Sequence, residues 1–465
     1  MGQATLGRAG IVVQETSTIG ERAARVHGDS GDTAVTVDYD LADPLLIRDA
    51  SAGRFTSRSW MPFRQALVPA ENGAPRRGEL ARIWNLLQLE GKRPSLYRGK
   101  GRIGLNVVDL FCGCGGLSIG VKQAMEAVGV RPVFALAADL SRSALDVYAK
   151  NLRPLRTACE NVENLVDYRL RTDGDRSLPD MESVYLSRDL SILAGDIDVF
   201  LAGPPCEGNS NLNNRTRRID SRNELYLDAV VAGIALGAKV MVIENVPAVK
   251  RSKQNVVARA LSLLGSAGYR IDNNEFTLTA SDYGTPQERR RHFLIAAKSE
   301  QSIMMSDLRR LQIPAPTASD AQTTMTNVDI DKTVNSKSHI SPENEKRVQF
   351  LVEREEYDLP DDERPDCHRL KNHNYLSVYG RMRPNQVAPT ITTGFLSPGR
   401  GRFTHPSEPR SLTPHEGAKL QGFGEDFDWL RRTGTVTRSG YANMIGSAVP
   451  PQLGFVVGMG AVSLL

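Results

Sequence analysis

From residue 103 to 298 the chain repeats one two-part unit, an apolar run of strand length followed by a stretch with helical period, and that repetition leaves few architectures open. Residues 105–111, 133–138, 196–202, 240–243 and 292–296 read as strands, and 117–128, 141–151, 226–237 and 255–267 as helices. Such alternation predicts an α/β fold, a doubly wound and mainly parallel sheet whose strands deliver ligand-binding residues at their carboxyl ends. The rhythm breaks after 298. The Pro314-Ala-Pro turn, the Ser/Thr/Asp-rich run 317–343 and the acidic run 353–366 carry few apolar residues and no clear period, so a smaller inserted domain is expected. Helical signals return at 413–421 and 451–462. The expected division is an N-terminal extension 1–102, a main domain 103–298, an inserted domain 299–405, and a segment 406–465 that rejoins the main domain.

The extension divides by charge. Its first half is acidic on balance, whereas Arg54, Arg58, Arg64, Arg76, Arg77 and Arg82 mark the second. An arm that tracks phosphates and a solvated, partly disordered tail both fit this pattern. Apolar residues at 80, 83, 84, 86, 87 and 89 mark one short helix within it. A net charge of +4 permits a nucleic-acid partner without demanding one. Five cysteines with no Cys-x-x-Cys spacing argue against a disulfide framework or a zinc site and for a reducing compartment. The N-terminus lacks a basic segment followed by an apolar core, and the most apolar stretch, 225–246, is interrupted by Asp228, Lys239 and Glu244. A cytoplasmic protein without a membrane span is expected.

Three constellations fall at strand ends. The first, Asp109-Leu-Phe-Cys-Gly-Cys-Gly-Gly116, lies between a strand and a helix, where glycines let a backbone approach a nucleotide-like ligand. A third fingerprint glycine would fall at Ser118, and no Gly-Lys-Ser follows, so neither the dinucleotide nor the P-loop pattern is complete. Asp139 ends the next strand, where an acidic residue can bond a ribose diol. The second, Leu201-Ala-Gly-Pro-Pro-Cys206, sets a thiol after a strand that two prolines stop abruptly. A buried cysteine at a tight turn would look the same, and Cys206 alone does not decide between the two. Position 209 is Asn and no His-x-Glu lies upstream, which excludes a zinc-deaminase arrangement. In the third, Glu244-Asn-Val follows the strand 240–243 and Gln287-Glu-Arg-Arg-Arg291 precedes the strand 292–296, so that Arg289 and Arg291 are expected to point together at an anion or a base carbonyl.

Taken in order, these segments resemble the cytosine-5 DNA methyltransferases. Residues 109–116 look like that family's first cofactor motif, Gly203-Pro-Pro-Cys206 its nucleophile motif, Glu244-Asn-Val its acid motif and 281–291 its Gln-x-Arg-x-Arg motif; Ala388-Pro-Thr-Ile-Thr, 412–423 and 445–451 look like its closing motifs. The resemblance covers 105–298 and 380–460. It implies S-adenosylmethionine as methyl donor, double-stranded DNA as substrate and no metal, on a sheet carrying an inserted target recognition domain. By motif position, Phe111 and Leu140 should face the two sides of the adenine, Asp139 the ribose and Asn161 the adenine amino group, with Asp109, Gly113, Gly115, Gly116, Pro204 and Ser447 completing the donor site. Cys206 should be the nucleophile and Glu244 the acid, with Arg289 and Arg291 steadying a flipped-out base. Ser210, Arg215, Arg217 and Arg218 of the loop 207–220, with Gln287 and Thr390, should meet the DNA.

Three positions depart from the family pattern: Glu207 stands for Gln, Asn209-Ser210 for Phe-Ser, and Gly446-Ser447 for Gly-Asn. Glu207 and Ser447 imply a donor pocket altered in charge and slightly enlarged. A monomer is expected, and work beside a cognate restriction endonuclease, as an orphan modifier or as a phage enzyme all fit the motifs. Two alternatives keep the motifs but change the function, namely the same chemistry on transfer RNA and an inactive DNA-binding or regulatory homologue.

Overall fold

The structure, a computed structural model, describes Leu89, four backbone strands between residues 3 and 39, and residues 104–465 apart from 129, 174–175, 206–220, 272–274, 310, 326–333, 370–376 and 431–435. Near the N-terminus Gln3–Thr5, Val12–Thr18, Glu21–His27 and Ala34–Tyr39 pair in chain order as an antiparallel sheet, which the charge pattern of the extension does not announce. Leu89 is helical and buried; its carbonyl accepts hydrogen bonds from the Lys419 ammonium and from the Glu425 backbone N–H. The remainder of the helix expected over 80–89 lies outside the described residues.

The centre is a seven-stranded sheet. Its strands are β1 (Gly104–Leu110), β2 (Arg131–Ala138), β3 (Thr157–Ala158), β4 (Val199–Ala202), β5 (Val240–Asn245), β6 (Glu275–Thr279) and β7 (Arg290–Ala297), in the order β6-β7-β5-β4-β1-β2-β3. β3, β2, β1, β4 and β5 run parallel, and register aligns their carboxyl ends: Leu110 pairs with Ala138 and with Ala202, and Ala202 pairs with Ile243. β7 runs antiparallel to β5 and β6, with His292 opposite Asn245. One reversed strand therefore brings the amino end of β7, and the arginines before and within it, to the edge where the parallel strands finish.

Helices cover both faces, among them α1 (Gly116–Ala127), α2 (Arg142–Leu152), α3 (Leu225–Ala235) and α4 (Val256–Ser266). The parallel strands are mostly apolar, as strands buried on both faces must be; Val107, Leu201, Val240 and Val242 belong to one core, and Val108, Phe200, Met241 and Ile243 to the other. Beyond the sheet lie α5 (Pro342–Glu353), α6 (Pro414–Leu420), α7 (Arg438–Ser447) and α8 (Pro451–Val462). α5 forms inside the stretch whose apolar pattern shows no period. Local chemistry explains it: the Ser341 hydroxyl accepts from Asn344 N, Pro342 opens the first turn, and Glu343 and Glu345 favour the positive end of the helix.

The chain end returns to the sheet because α8 lies directly on α1 through glycine. A β-carbon on Gly120 would come within 2.1 Å of the Pro451 carbonyl oxygen and 2.3 Å of Phe455 N, and one on Gly454 within 2.5 Å of the Leu117 carbonyl oxygen. Because these contacts are backbone, the helices themselves must separate to admit a methyl group. Gly120→Ala is expected to destabilise the fold by about 3 kcal/mol, the upper part of the range for overpacking, despite alanine's better helix propensity. Urea unfolding with the midpoint lowered at constant slope is the check, and a wild-type midpoint would contradict the close approach. Among the described residues no single helix is long and apolar enough to cross a membrane.

Candidate active site

The chain leaves β1 through a tight left-handed turn. Phe111, Gly113 and Gly115 have φ of 57°, 53° and 93°, and Gly115 N donates to the Cys112 carbonyl at 3.0 Å. The glycines serve different ends. A β-carbon on Gly113 would meet nothing within 4 Å, so this residue faces open space, whereas one on Gly115 would strike Leu152 and Tyr148 at 2.8 and 2.9 Å, and one on Gly116 the Val449 carbonyl oxygen at 2.2 Å. Asp139 ties the turn to the end of β2 by accepting from Gly113 N at 2.9 Å and Ser141 N at 2.8 Å. Burial pushes its carboxyl above the usual range, against these two bonds.

The surroundings fit S-adenosylmethionine on physical grounds. Leu140, next to Asp139 in the chain, is 73% exposed, and Phe111, the first residue of the turn that Asp139 ties, is half-buried, so two apolar side chains and a carboxylate belong to the open turn and the strand end tied to it. Asn161 follows the short strand β3 at the same edge, is half-buried, and donates to the Glu163 carboxylate at 2.6 Å. These residues would hold the adenine and ribose.

Asp109 departs from its expected place at the donor. It is buried beneath the turn and accepts from the Ser118 hydroxyl at 2.6 Å, which accepts in turn from the Tyr148 hydroxyl at 2.9 Å. Ser118, at the position where a third fingerprint glycine would fall, and Tyr148 were not singled out by motif; the polar residue in place of glycine was their one signal. Burial pushes the Asp109 carboxyl up to about 7, with Asp139 adding to the effect and the hydroxyls opposing it. A carboxyl whose pKa is raised on folding stabilises the fold most at low pH, and that contribution is lost as pH rises from about 4 towards 7. Asp109→Asn removes this dependence, so its stability relative to wild type is expected to rise by a few kcal/mol between pH 5 and pH 8. Denaturant unfolding at four pH values in that interval tests it, parallel pH curves for the two proteins being the contrary result.

On the other side of β1, Gly203 N donates to the Leu110 carbonyl at 3.3 Å, and the Asn245 side-chain amide donates to the Pro204 carbonyl at 3.2 Å. Asn245, a polar residue at the end of an apolar strand, thus pins the two-proline turn. A β-carbon on Gly203 would lie 3.6 Å from the nearer Glu244 carboxylate oxygen and 3.7 Å from the Phe111 carbonyl oxygen, so this turn lies between the acid and the glycine turn. Cys206 follows Pro205 in the chain and lies outside the described residues, as do Glu207, Ser210, Arg215, Arg217 and Arg218.

Glu244 is buried and paired with Arg291, Nε to Oε1 at 2.8 Å. Burial raises its pKa, while the charges of Arg291 and then Arg289 oppose the rise. Arg289, whose charge reaches Glu244 together with that of Arg291, has a buried guanidinium that donates to the carbonyls of Ile391 at 2.8 Å, Gly446 at 3.0 Å and Ser447 at 3.4 Å. Arg289 precedes β7 and Arg291 lies within it, so strand alternation does not relate the two. Gln287, expected at the DNA, is fully buried instead, its amide bonded to Ile391 N, the Leu420 carbonyl and Gln421. Thr390 is half-buried and donates to the Glu288 carbonyl at 2.5 Å; Ser447 is exposed at the end of α7. Among the described residues no group of His, Cys, Asp and Glu could hold a metal ion.

Comparison with known proteins agrees with this arrangement. Residues 105–460 match the C-5 cytosine-specific DNA methylases. The chain is 38% identical over 355 residues to the type II methyltransferase M1.BsuMI of Bacillus subtilis, which spans 76% of this chain and 80% of that protein. It is 26% identical over 393 residues to the type II methyltransferase M.DdeI of Desulfomicrobium norvegicum, over 75% and 86% of the two chains. In fold it is similar to a crystal structure described as a DNA modification methyltransferase encoded within an E. coli prophage, with a TM-score of 0.51, 24% identity, and 77% and 99% of the two chains covered. With a match running from the first residues of β1 almost to the chain end, on a sheet edge that gathers the glycine turn, the two-proline turn and the Glu244–Arg291 pair, this chain belongs to the C-5 cytosine-specific DNA methylases.

Proposed function

We propose a division of labour among the residues of this DNA cytosine-5 methyltransferase in which Cys206 attacks, Glu244 manages the proton and Arg291 holds both the acid and the base. A cytosine inside a duplex is out of reach of a strand-end thiol, so the target base swings out of the stack into the site. The Cys206 thiolate forms a bond to C6 of the ring, and the electron pair displaced from the C5–C6 bond makes C5 nucleophilic while Glu244 places a proton at N3. S-adenosylmethionine, when bound, supplies the electrophilic methyl group that C5 takes up. Loss of the C5 proton to a base then re-forms the double bond, expels Cys206 as thiolate and returns the N3 proton to Glu244.

The Glu244–Arg291 pair supports this reading most directly. A carboxyl that burial holds towards its protonated form, but that an arginine keeps oriented, suits an acid that must both give and recover a proton at one nitrogen. Phe111, Leu140, Asp139 and Asn161 hold the donor, Gly113 leaves it room, and Arg215, Arg217 and Arg218 close over the DNA. The protein works as a monomer in the cytoplasm, beside a cognate restriction endonuclease. Expression in a host lacking cytosine methylation, followed by bisulfite sequencing and nucleoside mass spectrometry, is expected to give 5-methylcytosine at one short sequence. Label in transfer RNA with none in DNA is the result that sinks it.

A further inference from the structure

Ile391 is held by both ends of its peptide unit. Its N–H donates to Gln287 Oε1 at 2.7 Å, and its carbonyl accepts from Arg289 Nη1 at 2.8 Å. The far ends of the same two side chains reach the segment 446–448. Arg289 donates to the Gly446 and Ser447 carbonyls, while Gln287 Nε2 donates to the Gln421 amide oxygen and Gln421 Nε2 donates to the Ala448 carbonyl. Ile391, Gln287 and Gln421 are fully buried and Arg289 is 1% exposed, so water cannot replace a lost partner at low cost.

What these bonds connect gives them meaning. Ile391 follows Thr390, which the family resemblance places at the DNA. Gly446 touches the same segment, because a β-carbon there would lie 2.3 Å from Thr393 N. Three residues on, the Val449 carbonyl presses on Gly116 of the turn assigned to the donor. Two residues beyond Arg289, Arg291 holds Glu244. A single short stretch, 287–291, therefore suspends the DNA-side segment, the donor-side segment and the acid.

We propose that Gln287, Gln421 and Arg289 form a positioning clamp through which DNA and donor each favour the same placement of 388–393 and 446–449, so that either ligand tightens the other. The inference rests on the assignment of the donor and DNA sides above. Linkage makes the effect reciprocal, and a densely bonded buried network has few intermediate arrangements to absorb the strain.

Calorimetric titration with S-adenosylhomocysteine, alone and with an excess of unmethylated duplex carrying the sequence found by bisulfite mapping, measures the coupling. Wild type is expected to bind the donor product roughly tenfold more tightly in the presence of duplex, in the usual range for coupled sites. Gln287→Leu and Gln421→Leu are each expected to bring that ratio to about one while changing binding of either ligand alone by less than about threefold, and the double variant to add nothing further. Wild type that methylates the duplex but shows a ratio of one overturns the clamp. So do folded single variants that keep the tenfold ratio, or that lose binary binding of both ligands equally, since these residues then serve each site and not the coupling. Wild type that fails to methylate the duplex counts against the functional assignment instead, so the two failures are told apart. Should Gln287→Leu not fold, Gln421→Leu alone decides by the same ratio.

Discussion

Cys206→Ala is expected to lower methyl transfer to DNA on the order of 10⁴-fold or more while duplex and donor-product binding survive, because a nucleophile that carries a covalent step has no partial substitute. Two other thiols lie near the edge in sequence, and neither can take over. Cys112 and Cys114 are buried under the glycine turn, where burial pushes the first well above the ordinary thiol range and the second up to about 12, leaving negligible thiolate near neutral pH. A second observable separates lost chemistry from lost folding. In a duplex carrying 5-fluorocytosine the C5 substituent cannot leave as a proton, so the enzyme stays bonded to C6. Wild type should give a complex that survives denaturing electrophoresis, and the alanine variant should give none. Undiminished labelled-methyl incorporation by Cys206→Ala would remove the thiol from the mechanism.

Glu244→Gln carries the second largest effect, a fall in kcat of about 10² to 10⁴-fold, the usual contribution of a positioned general acid. The amide keeps the shape and can still donate a hydrogen bond to N3, but it cannot transfer a proton, and it exchanges the ionic bond to Arg291 for a neutral one. The pH profile gives the sign. Burial raises the Glu244 pKa, so the protonated form persists nearer neutrality, and the part of the rate that depends on it declines as pH rises through that value. In the glutamine variant this alkaline limb should vanish from kcat/KM while the limb from Cys206 ionisation remains. An unchanged profile, or a loss confined to KM, would place Glu244 in binding alone.

The parts of this fold that depend on short-range pattern were legible in the chain. Mostly apolar strands, the helices between them, the turn at 111–116 and the stop imposed by Pro204 and Pro205 all follow from neighbours in sequence. Pattern failed where a cap substitutes for periodicity, as in α5, whose Ser341 and Pro342 start a helix with little apolar face to detect. It failed also for strand direction. Nothing in the composition of 290–297 says that β7 runs against its neighbours, yet that reversal is what carries Arg291 to Glu244.

Side-chain roles divide in the same way. Ordered motifs by themselves determined the family and the donor and nominate the reacting groups, because thiol, carboxyl and guanidinium chemistry belongs to the residue type and survives any rearrangement of the surroundings. Which atoms those groups meet was decided only by the tertiary structure. Asp109 turned inward to Ser118, Gln287 and Arg289 turned from the DNA and base to Ile391, and Asn245 became the residue that pins the two-proline turn. Partners 9 to 157 residues apart in these and the Arg289–Gly446 contacts are fixed by burial, where a polar group must find whichever donor or acceptor the packing brings to it, and no local spacing records that choice.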